Sequence, residues 1–190
     1  CKTHMEQNLP YDQVFQVIKD RFNAVKLNLS IDADMEIHFE EILTNMKKGC
    51  SKDYIASRGE YLSAVLVAAY LEVDFVDAAG MILFDEKGRL LFDETDNAIS
   101  AELSKHKRAV IPGFYGTDVE TGEIRTFSRG GSDITGALVA KAMGAEVYEN
   151  WTDVSGFLMA DPRIVKNPKP IEKISYKELR ELSYMGASVL

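Results

Sequence analysis

The segment Ser128-Arg129-Gly130-Gly131-Ser132-Asp133 has the residue types of an anion-binding turn, and it lies between a β-like run and a helix-like run. Its glycines let the backbone pass close to a ligand, and the N-terminus of the following helix directs N–H groups and the positive end of the helix dipole at an anion. We expect Ser132 to cap that helix. Arg129 can pair with a carboxylate or phosphate through its planar guanidinium, and Asp133 adds a carboxylate that can order a cation. The alternative is an ordinary glycine-rich turn before a surface helix.

Two further segments fall where predicted strands end, and open α/β sheets bind their ligands at that edge. Thr152-Asp153-Val154-Ser155-Gly156 follows a run predicted to be a strand, and Gly113-Phe114-Tyr115-Gly116 ends another. Neither is specific alone, because Thr-Asp is also a common turn opening. Together with the first segment they predict a ligand site at one edge of a sheet.

A glycine inside a predicted helix marks a fourth candidate, Ser57-Arg58-Gly59-Glu60. Glycine costs a helix interior about 1 kcal/mol relative to alanine, so Gly59 indicates either close approach of another group or a break. Glu60 would then point into a cleft. On the residue types alone, an ordinary solvated helix position is the favoured interpretation of Glu60.

Composition excludes some classes of partner. The 190 residues are 46% hydrophobic and 27% charged, with a formal net charge of −8. That charge disfavours nucleic acid or an anionic membrane as the main partner and leaves a small anionic substrate open. Cys1 and Cys50 form no CxxC pair or Cys/His cluster, and no apolar run has the length of a membrane span. We expect a cytoplasmic protein with no metal site of its own.

Hydrophobic periodicity predicts that helices alternate with strands. Such alternation is typical of an α/β domain with a mainly parallel central sheet, and two glycine-containing turns predict hairpins that make part of it antiparallel. We expect one domain over residues 1–190. The predicted helices cover residues 10–28, 35–48, 51–71, 98–106 and 133–143, with a last one after Ser175; the predicted strands cover 73–77, 81–84, 89–92, 109–116 and 146–151.

Four motifs follow one another along the chain: Ser57-x-Gly59-Glu60-x-x-Ser63, Arg129-Gly130-Gly131-Ser132-Asp133, Thr152-Asp153-Val154-x-Gly156-x-x-x-x-Asp161-Pro162-Arg163 and Gly186-Ala187-x-Val189-Leu190. In this order they resemble the catalytic domain of the aspartate kinases. The resemblance is strong over residues 51–190 and implies the amino-acid kinase fold, a three-layer αβα sandwich with a mainly parallel central sheet. Arg-Gly-Gly-Ser-Asp with an upstream Gly-Glu-x-x-Ser points to the aspartate branch of that fold.

The resemblance implies transfer of the ATP γ-phosphoryl group to the β-carboxylate of L-aspartate, with Mg²⁺ held mainly by the nucleotide. This reaction is the first step of lysine, threonine and methionine synthesis. By similarity, Glu60 binds the substrate ammonium, Asp133 helps to organise phosphoryl transfer, and Arg129 pairs with a carboxylate beside Gly130, Gly131 and Ser132. The implied nucleotide-side residues are Thr152, Asp153, Leu158, Arg163, Ser188 and Val189.

Some features of the family pattern differ in this sequence. The family begins with a strand and a Lys-Phe-Gly-Gly loop and carries C-terminal ACT regulatory domains; these 190 residues contain neither pattern. Ser188 stands where the family has lysine, and Leu158 where an aromatic residue is frequent. We therefore expect weak or no turnover from these residues alone. The resemblance also implies a homo-oligomeric full-length protein. The alternatives are a glutamate or acetylglutamate kinase of the same fold and a non-catalytic amino-acid or nucleotide-binding module.

Overall fold

The computed structural model describes residues 11–151, 156–161 and 164–184. The chain divides into two compact units, Cys1–Val147 and Tyr148–Leu190. Among the described helices, none is long and apolar enough to span a bilayer. The single domain expected over residues 1–190 stays a prediction.

Three helices begin the first unit, and all three were predicted. They are α1 (Asp12–Asn28), α2 (Met35–Lys47) and α3 (Lys52–Leu71). The Ser51 hydroxyl caps α3 by accepting a hydrogen bond from the backbone N–H of Tyr54 at 3.1 Å, which satisfies one of the unpaired donors of its first turn. Apolar side chains at helical spacing bury a common core, which includes Phe15, Phe39, Ile42, Met46, Leu62, Val65 and Leu66.

The strands of the first unit are short and alternate with helices. β1 (Asp74–Phe75) pairs in parallel with β3 (Ala109–Val110), and β2 (Leu83–Phe84) pairs in parallel with β4 (Tyr115–Asp118). β4 also pairs antiparallel with β5 (Ile124–Thr126). The side chains of these strands contribute to a second hydrophobic core, distinct from that of the first three helices. The elements are β1 (Asp74–Phe75), β2 (Leu83–Phe84), α4 (Phe92–Leu103), β3 (Ala109–Val110), β4 (Tyr115–Asp118), β5 (Ile124–Thr126) and α5 (Gly131–Ala142).

The predicted strand over residues 109–116 is wrong as one element, because the structure splits it into β3 and β4. Pro112 has no N–H to donate to a ladder, and Phe114 adopts a left-handed backbone with a φ of 61°. The chain therefore leaves the sheet between the two strands. That gap contains one of the segments predicted to bind a ligand.

Two other boundaries differ from the prediction. Helix α4 begins at Phe92 instead of Ala98, and Asp93 and Glu94 in its first turn complement the positive end of the helix dipole. The strand predicted over residues 89–92 is therefore reduced to a single antiparallel bridge between Phe84 and Leu90.

The strand predicted over residues 146–151 is wrong. These residues pair with no other strand in the described part of the chain, and the side chains of Val147 and Trp151 are 73% and 88% exposed. Their β-forming residue types are outweighed by the lack of a partner, because a strand gains its stability from cross-strand pairing and burial.

The second unit contains an antiparallel pairing and α6 (Tyr176–Tyr184). The predicted capping box is confirmed: Ser175 Oγ accepts a hydrogen bond from the Glu178 N–H, and the Glu178 carboxylate accepts one from the Ser175 N–H at 2.8 Å.

Candidate functional site

The turn between β5 and α5 is built around two glycines with different roles. Gly130 is the N-cap of α5 and has a φ of 61°, a left-handed conformation that glycine adopts without steric cost. The expectation that Ser132 caps the helix is wrong, because Gly130 starts the helix earlier and Ser132 lies within the first turn. Arg129, Ser132 and Asp133 are exposed there.

Gly131 is buried, because the chain passes directly behind it. A Cβ at this position would lie 2.6 Å from Phe114 Cβ and 2.8 Å from Phe127 Cβ, closer than any side chain tolerates. A Cβ on Gly113 would likewise lie 2.9 Å from Ser132 Oγ. The sequence contains glycine at both contact points, so the 112–114 loop can lie against the first turn of α5.

Thr135 fixes this contact with two hydrogen bonds. Its hydroxyl accepts from the Phe114 N–H at 3.2 Å and donates to the Gly131 carbonyl at 2.8 Å. The Phe127 N–H donates to the Phe114 carbonyl at 2.9 Å, which extends the pairing of β4 and β5 to the edge of the turn. The segments 113–116 and 128–133, both predicted from sequence to lie at strand ends, are therefore brought together.

A hydrogen bond connects helix α3 to strand β5. The Asp53 carboxylate in its first turn accepts a hydrogen bond from the Thr126 N–H of β5 at 3.0 Å. Glu60 lies seven positions further along α3, so it shares a helix face with Asp53. Glu60 is exposed, as the residue types alone suggested. Among the described contacts, only those of α3 connect Glu60 to the turn between β5 and α5.

Gly59 does not break the helix, because α3 continues from Lys52 to Leu71. Of the two explanations offered for this glycine, a break is therefore excluded. A Cβ built on Gly59 meets nothing within 4 Å. The glycine also lines an apolar cavity of about 70 Å³ between α1, α2 and α3. Close approach of another group to Gly59 stays a prediction.

Arg58 has a structural role that was not predicted from the sequence, although it belongs to the candidate segment 57–60. Its side chain is only 6% exposed, and its Cζ lies 4.6, 4.4 and 5.2 Å from the ring centroids of Tyr54, Tyr61 and Tyr115. Nε and Nη2 donate to Ser57 Oγ at 3.1 and 3.0 Å. The spacing Tyr54-Arg58-Tyr61, which places three side chains on one helix face, was the available signal.

Tyr115 links Arg58 and its neighbours to the 112–114 loop. Its ring is fully buried, and its hydroxyl donates to Asp77 Oδ1 at 2.6 Å. Burial, followed by the neighbouring Asp77 carboxylate, raises the pKa of Tyr115 far above its ordinary value. Burial likewise raises the pKa of Tyr61 to about 12. Both phenols are therefore neutral hydrogen-bonding groups at physiological pH.

The second unit positions one of the predicted nucleotide-side residues. Leu158 is partly buried and forms an antiparallel bridge with Pro170, and the Met159 N–H donates to the Lys169 carbonyl at 2.9 Å. The other predicted nucleotide-side residues, Thr152, Asp153, Arg163, Ser188 and Val189, lie outside the described residues, so their roles stay predictions.

Comparison with known proteins identifies the fold family. The model of the amino acid kinase family matches residues 11–190. The chain belongs to the amino acid kinase family. The predicted α/β fold class is confirmed, as is the resemblance of the chain to the aspartate kinases.

The curated relatives of this chain include aspartokinases from bacteria and from a plant. Aspartokinase 3 of Bacillus subtilis is 37% identical over 145 residues, which cover 72% of this chain and 32% of that protein. The chloroplastic aspartokinase 1 of Arabidopsis thaliana is 34% identical over 197 residues, covering 92% of this chain and 34% of that protein. The chain thus spans about a third of the length of these relatives.

Two solved structures extend the comparison. Aspartate kinase of Clostridium acetobutylicum matches with a TM-score of 0.93 and 51% identity, covering 100% of this chain and 43% of that one. Aspartokinase III of E. coli, in complex with aspartate and ADP, matches with a TM-score of 0.72 and 26% identity, covering 90% of this chain and 44% of that one.

Proposed function

We propose that the complete protein transfers the γ-phosphoryl group of MgATP to the β-carboxylate of L-aspartate, the first step of lysine, threonine and methionine synthesis. The observation that carries this proposal is the match to Clostridium acetobutylicum aspartate kinase along the whole chain at 51% identity. The similar E. coli aspartokinase III, solved with aspartate and ADP, supports the choice of substrates.

The first turn of α5 suits an anionic substrate. Arg129 is exposed beside it and forms no ion pair with the other described residues, so its guanidinium is available to a carboxylate in a bidentate geometry. The N–H groups of Gly131 and Ser132 lie at the positive end of the helix dipole, where an anion is stabilised. Glu60 offers the opposite charge, which suits the substrate ammonium.

Phosphoryl transfer depends mainly on positioning and on neutralising charge spread over the phosphoryl oxygens. Removal of a single aligned donor in such a site costs about 3–4 kcal/mol in the transition state. In our proposal Asp133 helps to organise the transferring group, and the nucleotide is contacted by Thr152, Asp153, Leu158, Arg163, Ser188 and Val189.

Mg²⁺ enters this proposal bound to the nucleotide. Within the described residues, no group of three or more His, Cys, Asp and Glu side chains could hold a metal ion. Mg²⁺ commonly keeps most of its ligands as water and substrate phosphates and takes only one or two protein carboxylates, so the exposed Asp133 fits such a role. The ion would neutralise charge on the phosphates.

The remaining expectations belong to the same proposal. We infer that residues 1–190 form most of one catalytic domain of a cytoplasmic homo-oligomer. The net charge of −8 supports small-molecule substrates over nucleic acid or an anionic membrane as partners.

A hydroxylamine trap for acyl phosphate tests the reaction. The complete protein is incubated with MgATP, hydroxylamine and either L-aspartate, L-glutamate or N-acetylglutamate. Hydroxamate from L-aspartate alone supports the proposal, hydroxamate from another substrate identifies a different amino acid kinase, and none from any of them despite nucleotide binding indicates a binding module.

The role of Arg129 is tested by Arg129→Lys, which keeps the charge and removes the planar fork. We expect KM for L-aspartate to rise by roughly tenfold with KM for MgATP unchanged, because a bidentate pair becomes a point-charge contact. Arg108→Lys, at another exposed arginine, is the matched control and should leave both constants unchanged. A rise in KM for MgATP instead would place Arg129 on the nucleotide.

A further inference from the structure

Arg58 is a buried cation with an unusual set of neighbours. Arg58 is only 6% exposed, yet no ion pair of the described residues includes it. A buried charge is costly unless other groups compensate for the lost hydration. Here the compensation comes from the faces of three tyrosine rings and from the Ser57 hydroxyl, whose own proton goes to the Tyr54 carbonyl at 2.7 Å.

Two of the three rings belong to the same helix as Arg58, whereas the third belongs to β4. Tyr115 is therefore the group through which the guanidinium holds another element. Arg58 Cζ lies 5.2 Å from the centroid of that ring, and Asp77 holds the hydroxyl at its far end. A cation over an aromatic face is attracted by the ring, and this attraction is stronger when the cation is removed from water.

Tyr115 directly follows the loop that lies against the first turn of α5. Phe114 contacts Gly131 and bonds to Thr135, and Gly113 lies against Ser132. Arg58 is also two residues from Glu60 on α3. The Arg58 side chain thus contacts Tyr115, which directly follows the 112–114 loop, and Arg58 belongs to the same helix as Glu60, the residue proposed for the substrate ammonium.

We propose that Arg58 is a positioning residue, which sets the distance between Glu60 on α3 and the anion-binding turn of α5 through its stack on Tyr115. This inference rests on the proposed function, because it assigns both segments to the same L-aspartate molecule. Arg58 itself does not touch the substrate. A shift of its stack displaces one end of the amino-acid site relative to the other, and misplacement by about 1 Å can cost large factors in catalysis.

The test compares Arg58→Met with Phe39→Leu in the complete protein. Methionine keeps the apolar stem and removes the charge and the donors, while Phe39 is a fully buried α2 residue that serves as a control for general destabilisation. We expect Arg58→Met to raise KM for L-aspartate roughly tenfold, with KM for MgATP unchanged. Phe39→Leu should lose stability with both constants unchanged. Arg58→Lys, which keeps a cation over the rings, should recover part of the affinity.

A double-mutant cycle with Tyr115→Leu tests the stack itself. If Arg58 acts through this ring, Arg58→Met should add little to the rise in KM already caused by Tyr115→Leu. Additive effects of the two substitutions would overturn the proposed route.

Amide hydrogen exchange gives a readout that does not depend on turnover. Arg58→Met should accelerate amide exchange in residues 113–115 and 130–133, and Phe39→Leu should not. Exchange and KM that match those of Phe39→Leu would reduce Arg58 to a structural role and overturn the inference. Absence of hydroxamate from the wild type would instead overturn the proposed function, and the exchange comparison would still decide whether Arg58 positions the loop and turn.

Discussion

The substitution Gly59→Ala distinguishes the effect of this glycine on stability from its effect on substrate binding. Residue 59 lies inside α3, and a Cβ there meets nothing within 4 Å, so the substitution adds a methyl group without a clash. The gain comes from helix propensity and from reduced freedom of the unfolded chain, together about 1 kcal/mol. For a domain of this size, that corresponds to a rise in Tm of about 2–4 °C.

The same substitution should impair substrate binding if the bare backbone of Gly59 allows a ligand to approach. We expect KM for L-aspartate to rise while stability increases. Ala56→Gly, at an exposed position one turn earlier in α3, is the reciprocal control: it should lower stability by about 1 kcal/mol and leave KM unchanged.

Thermal or urea unfolding and the hydroxamate assay measure the two effects on the same preparations. A destabilised Gly59→Ala protein would refute the structural argument, because it would mean that the open space beside Gly59 is absent. A stabilised protein with unchanged KM would refute the ligand-approach argument and leave Gly59 without a functional role.

Two other substitutions test the supports of the site and of the sheet. Gly131→Ala should destabilise the protein by about 1–3 kcal/mol in urea unfolding, because its Cβ would overlap Phe114; unchanged stability would contradict the tight contact. Hydrogen bonds to Asp74 and then Glu102 raise the pKa of His106, so its stabilising contribution is complete below the pKa of the unfolded chain and is lost as pH rises through the folded value. The stability difference between wild type and His106→Gln should therefore be larger near pH ~5.5 than near pH ~8.5, and an equal difference at both would contradict this linkage.

Local sequence chemistry predicted most helices of this fold. The cap at Ser51 and the Ser175–Glu178 box each involve residues within one turn of each other, so both could be recognised without knowledge of tertiary contacts. Residues 146–151 were misjudged for the opposite reason. Whether β-forming side chains make a strand depends on a partner strand, which the local sequence does not specify.

The candidate site was predicted in part, again according to how local each interaction is. Gly130 and Gly131 were recognised as a turn that allows close approach, but the Ser132 cap was misplaced because either residue could start α5. The reason for Gly131, its contact with Phe114, arises between segments that no local pattern connects. The burial of Arg58 was not predicted because a charged residue in a helix is usually solvated, whereas three tyrosine rings lie against this one and Tyr115 comes from strand β4.

The parallel pairings have a consequence for how the protein folds. Asp74 pairs with Ala109 and Leu83 pairs with Thr117, so both parallel pairs close long stretches of chain, whereas the β4–β5 hairpin is local. Closure of long loops costs entropy before any contact is gained, and non-local pairing slows folding. The 112–114 loop lies between β3 and β4, so we expect it to reach its native position after these long-range pairs form. We expect the local helices to form earlier and the ligand site to be completed late.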